Sequence, residues 1–258
     1  LEAAGFGVAR KPSAYLLSMH LYEQWRTDNP LSNATVRKAM SMAIDRQKIL
    51  ATLYGGEGRV AACHGFVGYT LGCAQDFSPV KYDPAEARKL LADAGYSKGF
   101  NLRFYSYVSS PVDSPVVVQA LANMLETTGI KVDIVPQDYS TVLAILRNAQ
   151  AGNAVSMQNH ANLYDMSFLY QAVYTSRGVL TVQKDPAFDA LMAGLGGVKT
   201  VEDYQKAWRV IQQDIYDNNR EIVIAELNAL YAFSPAAIAE WNPGRLPSDL
   251  NLRGLKLK

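Results

Sequence analysis

The feature that most restricts the fold of this chain is a run of alternating helix and strand patterns between residues 83 and 158. The string YDPAEARKLLADAGY places Asp83 as a helix cap, Pro84 at the first helical position and Glu86 three residues after the cap, a capping-box arrangement. Ala87, Leu90, Leu91 and Ala94 follow at helical spacing, and Gly95 stops the run. NLRFYSY (101–107) reads as a strand. A helix begins at Ser114 and Pro115, buries Val117, Leu121, Met124 and Leu125, and ends at Gly129. IKVDIVP (130–136) is a strand with Ile130, Val132 and Ile134 on one face; residues 139–152 are a helix and AVSMQ (154–158) a short strand. This β-α-β-α-β order predicts an α/β fold with a largely parallel sheet, helices packed on it, and ligands approaching the strand ends.

The rest of the chain is read around that unit. Residues 14–22, AYLLSMHLY, have a β-like composition. From Asn33 to Gly58 the spacing of Val36, Ala39, Met40, Ala43, Ile44, Leu50 and Leu53 predicts one long amphipathic helix, with Arg37, Lys38, Asp45, Arg46 and Lys48 off the apolar stripe. Residues 55–82 read as loop. DPAFDALMAG (185–194) and residues 201–219 are helical, and IVIAELNALYAF (222–233) is strand-like. The weakest boundaries fall near 25 and 225. They divide the chain into 1–25, a body at 26–225, and a return segment at 226–258.

Composition excludes some classes of function. Net charge is +1 and no run of Lys and Arg occurs, so a nucleic-acid surface is not expected. No uninterrupted apolar run is long enough to cross a bilayer. The chain opens LEAAGFGVARK without an initiator Met, and the expectation is a processed chain or a piece of a longer one. Cys63 and Cys73 lie ten apart in a Gly-rich stretch, a spacing that suits a small loop disulfide in an oxidising compartment. HExxH, GxSxG and CxxC are absent, and three scattered histidines do not make a triad by sequence, so an enzyme is not expected and no cofactor is called for.

Two strings, NPLSNATVRKAMSMAIDRQKILATLYGGEG and YDPAEARKLLADAGYSKGF, resemble the extracellular solute-binding proteins of peptide and nickel ABC importers, the family-5 type. LANMLETTGIKVDI and DPAFDALMAG are similar to further family segments in the same order. The resemblance implies the C-terminal lobe of a periplasmic-binding-protein-like fold (type II, cluster C). That lobe has a mixed, largely parallel sheet flanked by helices, and adds hinge-adjacent strands of a larger, missing N-terminal lobe. Residues 1–25 would be the hinge-adjacent remnant of that larger lobe, and hinge crossings are expected near 20–27 and 222–228. The implied function is capture of a small, peptide-like solute by lobe closure, outside the cytoplasmic membrane, for delivery to an ABC permease. A ligand-sensing or chaperone protein of the same fold, and a secreted hydrolase, are the alternatives. The expected location is periplasmic or extracellular, lipid-anchored or soluble.

In that family a loop after a short strand carries ligand contacts, with an aromatic residue and then an Asp for a peptide ammonium. Here the loop is SMQNHANLYDMSFLY (156–170), and Asn162 stands where that Asp would be. An amide offers only a neutral bond to an ammonium where a carboxylate offers a charge-assisted one. Asn159, His160, Asn162, Tyr164 and Asp165 are the implied ligand contacts of this loop, with Tyr139 at the start of a neighbouring helix. Tyr107 and Tyr170 are weaker candidates. His160, with His20 near the expected hinge, leaves a metal-chelate solute open, although one imidazole makes no complete metal site.

Overall fold

A computed structural model of the chain describes residues 2–61, 70–74, 76–108, 115–161, 165–245 and 251–258, with the side chains of 159–161 left aside. Its centre is a six-stranded sheet in the order β2-β6-β1-β5-β3-β4. The strands are β1 (Gly7–Leu21), β2 (Gly58–Val60), β3 (Asn101–Tyr107), β4 (Lys131–Gln137), β5 (Ala154–Ala161) and β6 (Glu221–Phe233).

The sheet is mixed. β3 runs parallel to β4 and to β5, as the alternating pattern predicts. β1 then joins antiparallel to β5, β6 antiparallel to β1, and β2 antiparallel to β6. Short connections without a helical crossover would allow only antiparallel pairing, but these strands are far apart in sequence. Their direction is therefore set by the path of the whole chain.

Side chains alternate between the two sheet faces with period two. Leu17, Met19, Leu102, Phe104, Val155, Met157, Ile222 and Ile224 face one apolar cluster. It is covered by α1 (Ala34–Met42), α2 (Arg46–Leu53), α3 (Pro84–Asp93) and α4 (Pro115–Glu126). Tyr22, Tyr105 and Tyr107 belong to the opposite cluster with α5 (Tyr139–Arg147), α6 (Ser167–Tyr174), α7 (Pro186–Gly194) and α8 (Val201–Asp217). Trp208, Ile211 and Ile215 of α8 are fully buried in this second layer.

The long helix expected over 33–58 is two helices. Asp45 breaks it by accepting a hydrogen bond from Lys48 N at 2.9 Å, which makes it the cap of α2. A side-chain oxygen that can cap competes with helix continuation. Two residues read as lying off the apolar stripe are also buried, Arg37 and Arg46. The cap at Asp83 forms as expected, accepting from Glu86 N at 3.0 Å. The stretch read as loop to 170 ends earlier, because α6 starts at Ser167.

β1 and β6 pair beyond the stretch where β5 and β2 flank them. Their register runs from His20↔Glu221 through Leu17↔Ala225 to Gly7↔Phe233, shifted between Leu17 and Ser18 and again at a bulge between Pro12 and Leu16. Past the bulge they form a two-stranded ribbon. A small antiparallel pair, β7 (Ile238–Trp241) and β8 (Leu255–Leu257), lies at its end, where the Trp241 and Tyr231 rings meet edge to face at 5.3 Å.

Candidate functional site

The parallel strands β3, β4 and β5 all point their C-terminal ends at one edge of the sheet, and each is followed by a helix. Such an edge gathers connecting segments and helix N-termini around a crevice. Tyr139 opens α5 at this edge and is half exposed, its ring edge-on to Tyr107 at 5.4 Å.

Behind those rings lies a polar cluster on the tyrosine-rich face. Tyr107 OH donates to Ser156 Oγ at 3.1 Å, and Gln158 Nε2 lies 2.9 Å from Tyr107 OH and 2.8 Å from Ser156 Oγ. Tyr22 OH bonds Ser156 Oγ as well. Burial pushes the Tyr22 and Tyr107 phenols up from their ordinary range, so both stay neutral hydroxyls. The cluster fixes the orientation of Tyr107 and, through it, supports Tyr139. Sequence reasoning named neither Ser156 nor Gln158. Their signal was the alternation of small polar residues along β5, which reads as a half-solvated strand.

Asp165 lies in the connection between β5 and α6. It accepts from Ser167 N at 2.9 Å and from Ser167 Oγ at 3.0 Å, and Tyr204 OH of α8 donates to it. Burial pushes its carboxyl up, but these hydrogen bonds outweigh that and hold it below the usual carboxylate range. Tyr204 is in turn pushed up to about 12 by burial and by Asp165. Asp165 therefore has a structural role, joining α8 to the start of α6.

The remaining candidates divide. Asn159 and His160 lie on β5, with backbones opposite Leu17 and Leu16, so they reach the same edge; their side chains are outside the description. Asn162 and Tyr164 lie outside the described residues, as does Cys63, while Cys73 is disulfide-bonded. His20 and Tyr170 are not at the edge but in the core. His20 faces Glu221 across the β1–β6 pair at 4.0 Å, and Tyr170 OH donates to Glu221 at 3.2 Å. Burial pushes the Glu221 carboxyl up to about 7. The central place of β1 in the sheet gives the reason: residues 16–21 are buried on both faces, so His20 is enclosed. Among the described residues no group of three or more His, Cys, Asp and Glu side chains is placed to hold a metal ion.

Arg37 and Arg46, both buried, fasten β6 and the end of α8 that leads into it. Arg46 Nε donates to Val223 O at 2.7 Å, and its Nη atoms donate to Ser41 O at 2.9 Å and Ser41 Oγ at 2.7 Å. Arg37 donates to Leu31 O at 2.8 Å and to Asn218 O at 2.6 Å, at the carbonyl end of α8 just before β6. Burial lowers both guanidinium groups to about 10, still charged at neutral pH. The negative end of the α8 dipole offsets the charge of Arg37.

Comparison with known proteins places this geometry. Residues 3–180 match the model of the bacterial extracellular solute-binding proteins, family 5 Middle. A glutathione-binding protein of Salmonella choleraesuis, GsiB, is 35% identical over 112 residues, which cover 43% of this chain and 21% of that protein. NikA from Brucella suis, solved in complex with Fe(III)-EDTA, superposes with a TM-score of 0.84 at 17% identity over 100% of this chain and 54% of its own. The dipeptide-binding protein of Pseudoalteromonas sp. SM9913, solved with Met-Leu, gives a TM-score of 0.77 at 20% identity, over 98% of this chain and 50% of its own. The chain spans about half the length of these two solved structures.

Proposed function

The chain belongs to the bacterial extracellular solute-binding proteins of family 5, and from that premise we propose that it is one lobe of a two-lobed receptor for a small, peptide-like solute. Lobe closure captures the solute outside the cytoplasmic membrane, and the loaded receptor delivers it to an ABC permease. The solute leaves unaltered, with no chemistry performed on it. No described helix is long and apolar enough to cross a membrane; the periplasm or outer surface is the proposed location.

One observation carries this reading. β1 and β6 leave the lobe's sheet side by side, from Leu17↔Ala225 out to Gly7↔Phe233. Paired strands that cross out of one body are a suitable hinge, because a few residues can absorb the rotation while the sheet stays intact. We place the crossings at 12–16 and 226–228 rather than at 20–27, because His20 and Leu21 pair with Ser156 and Val155 inside the lobe. The bulge at Pro12–Leu16 is the bend, and the Arg46–Val223 bond anchors the lobe side of it. At the ribbon end Phe6, Leu230 and Leu257 are exposed, an apolar surface suited to a second body.

On this reading residues 13–225 form the ligand-binding lobe, and the outer ribbon with residues 229–258 belongs to the larger one. Ligand contacts on both lobes favour closure only by the extra affinity of the closed state. Tyr139, with Asn159, His160, Asn162, Tyr164 and Asp165, supplies this lobe's share. Titration of the solute against the 258-residue chain and against the intact gene product tests the proposal. Much weaker binding by the single lobe is expected; equal affinities would contradict it.

A further inference from the structure

Four large apolar side chains are exposed at the strand-end edge. Val108 directly follows β3 and is 60% exposed; Val116 is in the first turn of α4 and 62% exposed. Tyr139 opens α5 at 49%, and Phe168 is in the first turn of α6 at 82%. Single exposed apolar residues are ordinary, but these come from three successive strand-to-helix connections on one edge. The charged side chains described in the same connections are carboxylates, Asp138 and Asp165, and none of the described residues there is Lys or Arg. Asp138 makes no side-chain cap to α5, although it holds the cap position. Helix N-termini favour anions; at α6 Asp165 already accepts from Ser167 N at 2.9 Å, and at α5 Asp138 holds the cap position.

We infer that this edge selects the solute class: a solute carrying an aliphatic or aromatic group and no net negative charge. The inference rests on the proposed reading of the edge as the solute face. An apolar group gains by covering exposed apolar side chains at this edge, Val108 and Val116 beside the α4 layer or the Tyr139 ring and Phe168 beside the α5–α6 layer. In these connections an anion would meet two carboxylates and no described Lys or Arg, a like-charge arrangement that discriminates by repulsion. Tyr139 adds a specific element, because its ring is held edge-on by Tyr107 and offers its free face.

The test is calorimetric titration of the intact gene product with trileucine amide, triglycine amide and triglutamate. Trileucine amide is expected to bind at least tenfold more tightly than either other probe. Phe168→Ala and Val116→Ala should each weaken it about tenfold or somewhat less, the loss of roughly 60 Å² of apolar contact. Phe168→Lys should raise the affinity for triglutamate and lower that for trileucine amide. Both positions are exposed, so unchanged melting temperatures are expected for all three variants and separate a binding effect from misfolding. Triglutamate binding as tightly as trileucine amide, indifferent to Phe168→Lys, would overturn the inference and leave solute capture standing. Failure of every probe to bind, with no small molecule co-purifying, would remove both.

Discussion

Arg46 reaches across from the start of α2 and donates to the backbone carbonyl of Val223, at 2.7 Å, in β6. Arg46 is thus a backbone clamp. Its other hydrogen bonds, to Ser41, Ile44 and Val80, close the corner between α1, α2 and the segment entering α3.

Replacing Arg46 by Met should therefore destabilise the fold by about 3 kcal/mol, because several buried carbonyls lose their donors together. Arg46→Lys should recover only part, since an ammonium lacks the planar fork. Urea unfolding of the two variants checks this; losses under about 1 kcal/mol would show that the clamp is dispensable.

Gly58 tests the crossing itself. Its φ is +146°, and a Cβ there would lie 2.4 Å from the carbonyl oxygen of Glu226, where β2 pairs with β6. Gly56 also has positive φ, +79°, but open space around it. Gly56→Ala should cost about 1 kcal/mol from backbone strain alone. Gly58→Ala should cost clearly more, on the order of 3 kcal/mol, because backbone must move. Equal losses in thermal unfolding would contradict the tight β2–β6 approach.

Glu221 makes stability depend on pH in a direction that can be worked out. Its carboxyl is raised by burial from 4.5 to about 7. Between those values the folded chain holds a proton that the unfolded chain has released. The contribution is therefore complete below about 4.5 and is lost as pH rises through about 7. His20, Tyr170 and Tyr174 are the titratable groups facing it. Glu221→Gln should remove this part of the slope and make the variant relatively more stable at pH 8 than at pH 5, by up to roughly 3 kcal/mol. Urea midpoints at the two pH values decide; an unchanged slope would mean that Glu221 does not titrate there.

The bond from Tyr204 to Asp165 ties α8 to the first turn of α6. Asp165→Ala and Tyr204→Phe should each cost about 1 kcal/mol, and the double variant less than their sum. Additive losses would show no coupling. If Asp165 also touches the solute, Asp165→Ala will lower affinity while Tyr204→Phe leaves it nearly unchanged.

Much of this was readable before any coordinates. The alternation from 83 to 158 specified β3, α4, β4, α5 and β5, because apolar spacing and capping residues agree there. The pairing of 14–22 with 222–233 could be expected only through family likeness, since no local signal encodes a contact between residues some 200 apart in sequence. Three features were hidden for physical reasons. Arg37 and Arg46 look like surface charges until their carbonyl partners are known, because those partners lie in distant segments. The break at Asp45 is invisible to periodicity, which runs on through the corner. The start of helix α6 falls inside the stretch that the family likeness reads as a ligand loop, although Asp165 and Ser167 form a local turn that starts it. Of the site, Tyr139 was legible as an exposed helix-opening aromatic. The Ser156–Gln158–Tyr107 support was not, because hydroxyl clusters have no sequence period.

The most direct test of the central claim is native mass spectrometry of the intact gene product as isolated, followed by release of whatever it carries. One non-covalently held small molecule per chain, recovered at the same mass after binding and release, is the predicted result. A chain that changes the mass of the molecule it is given, or that binds solute with no difference between the intact product and this lobe alone, would contradict the account.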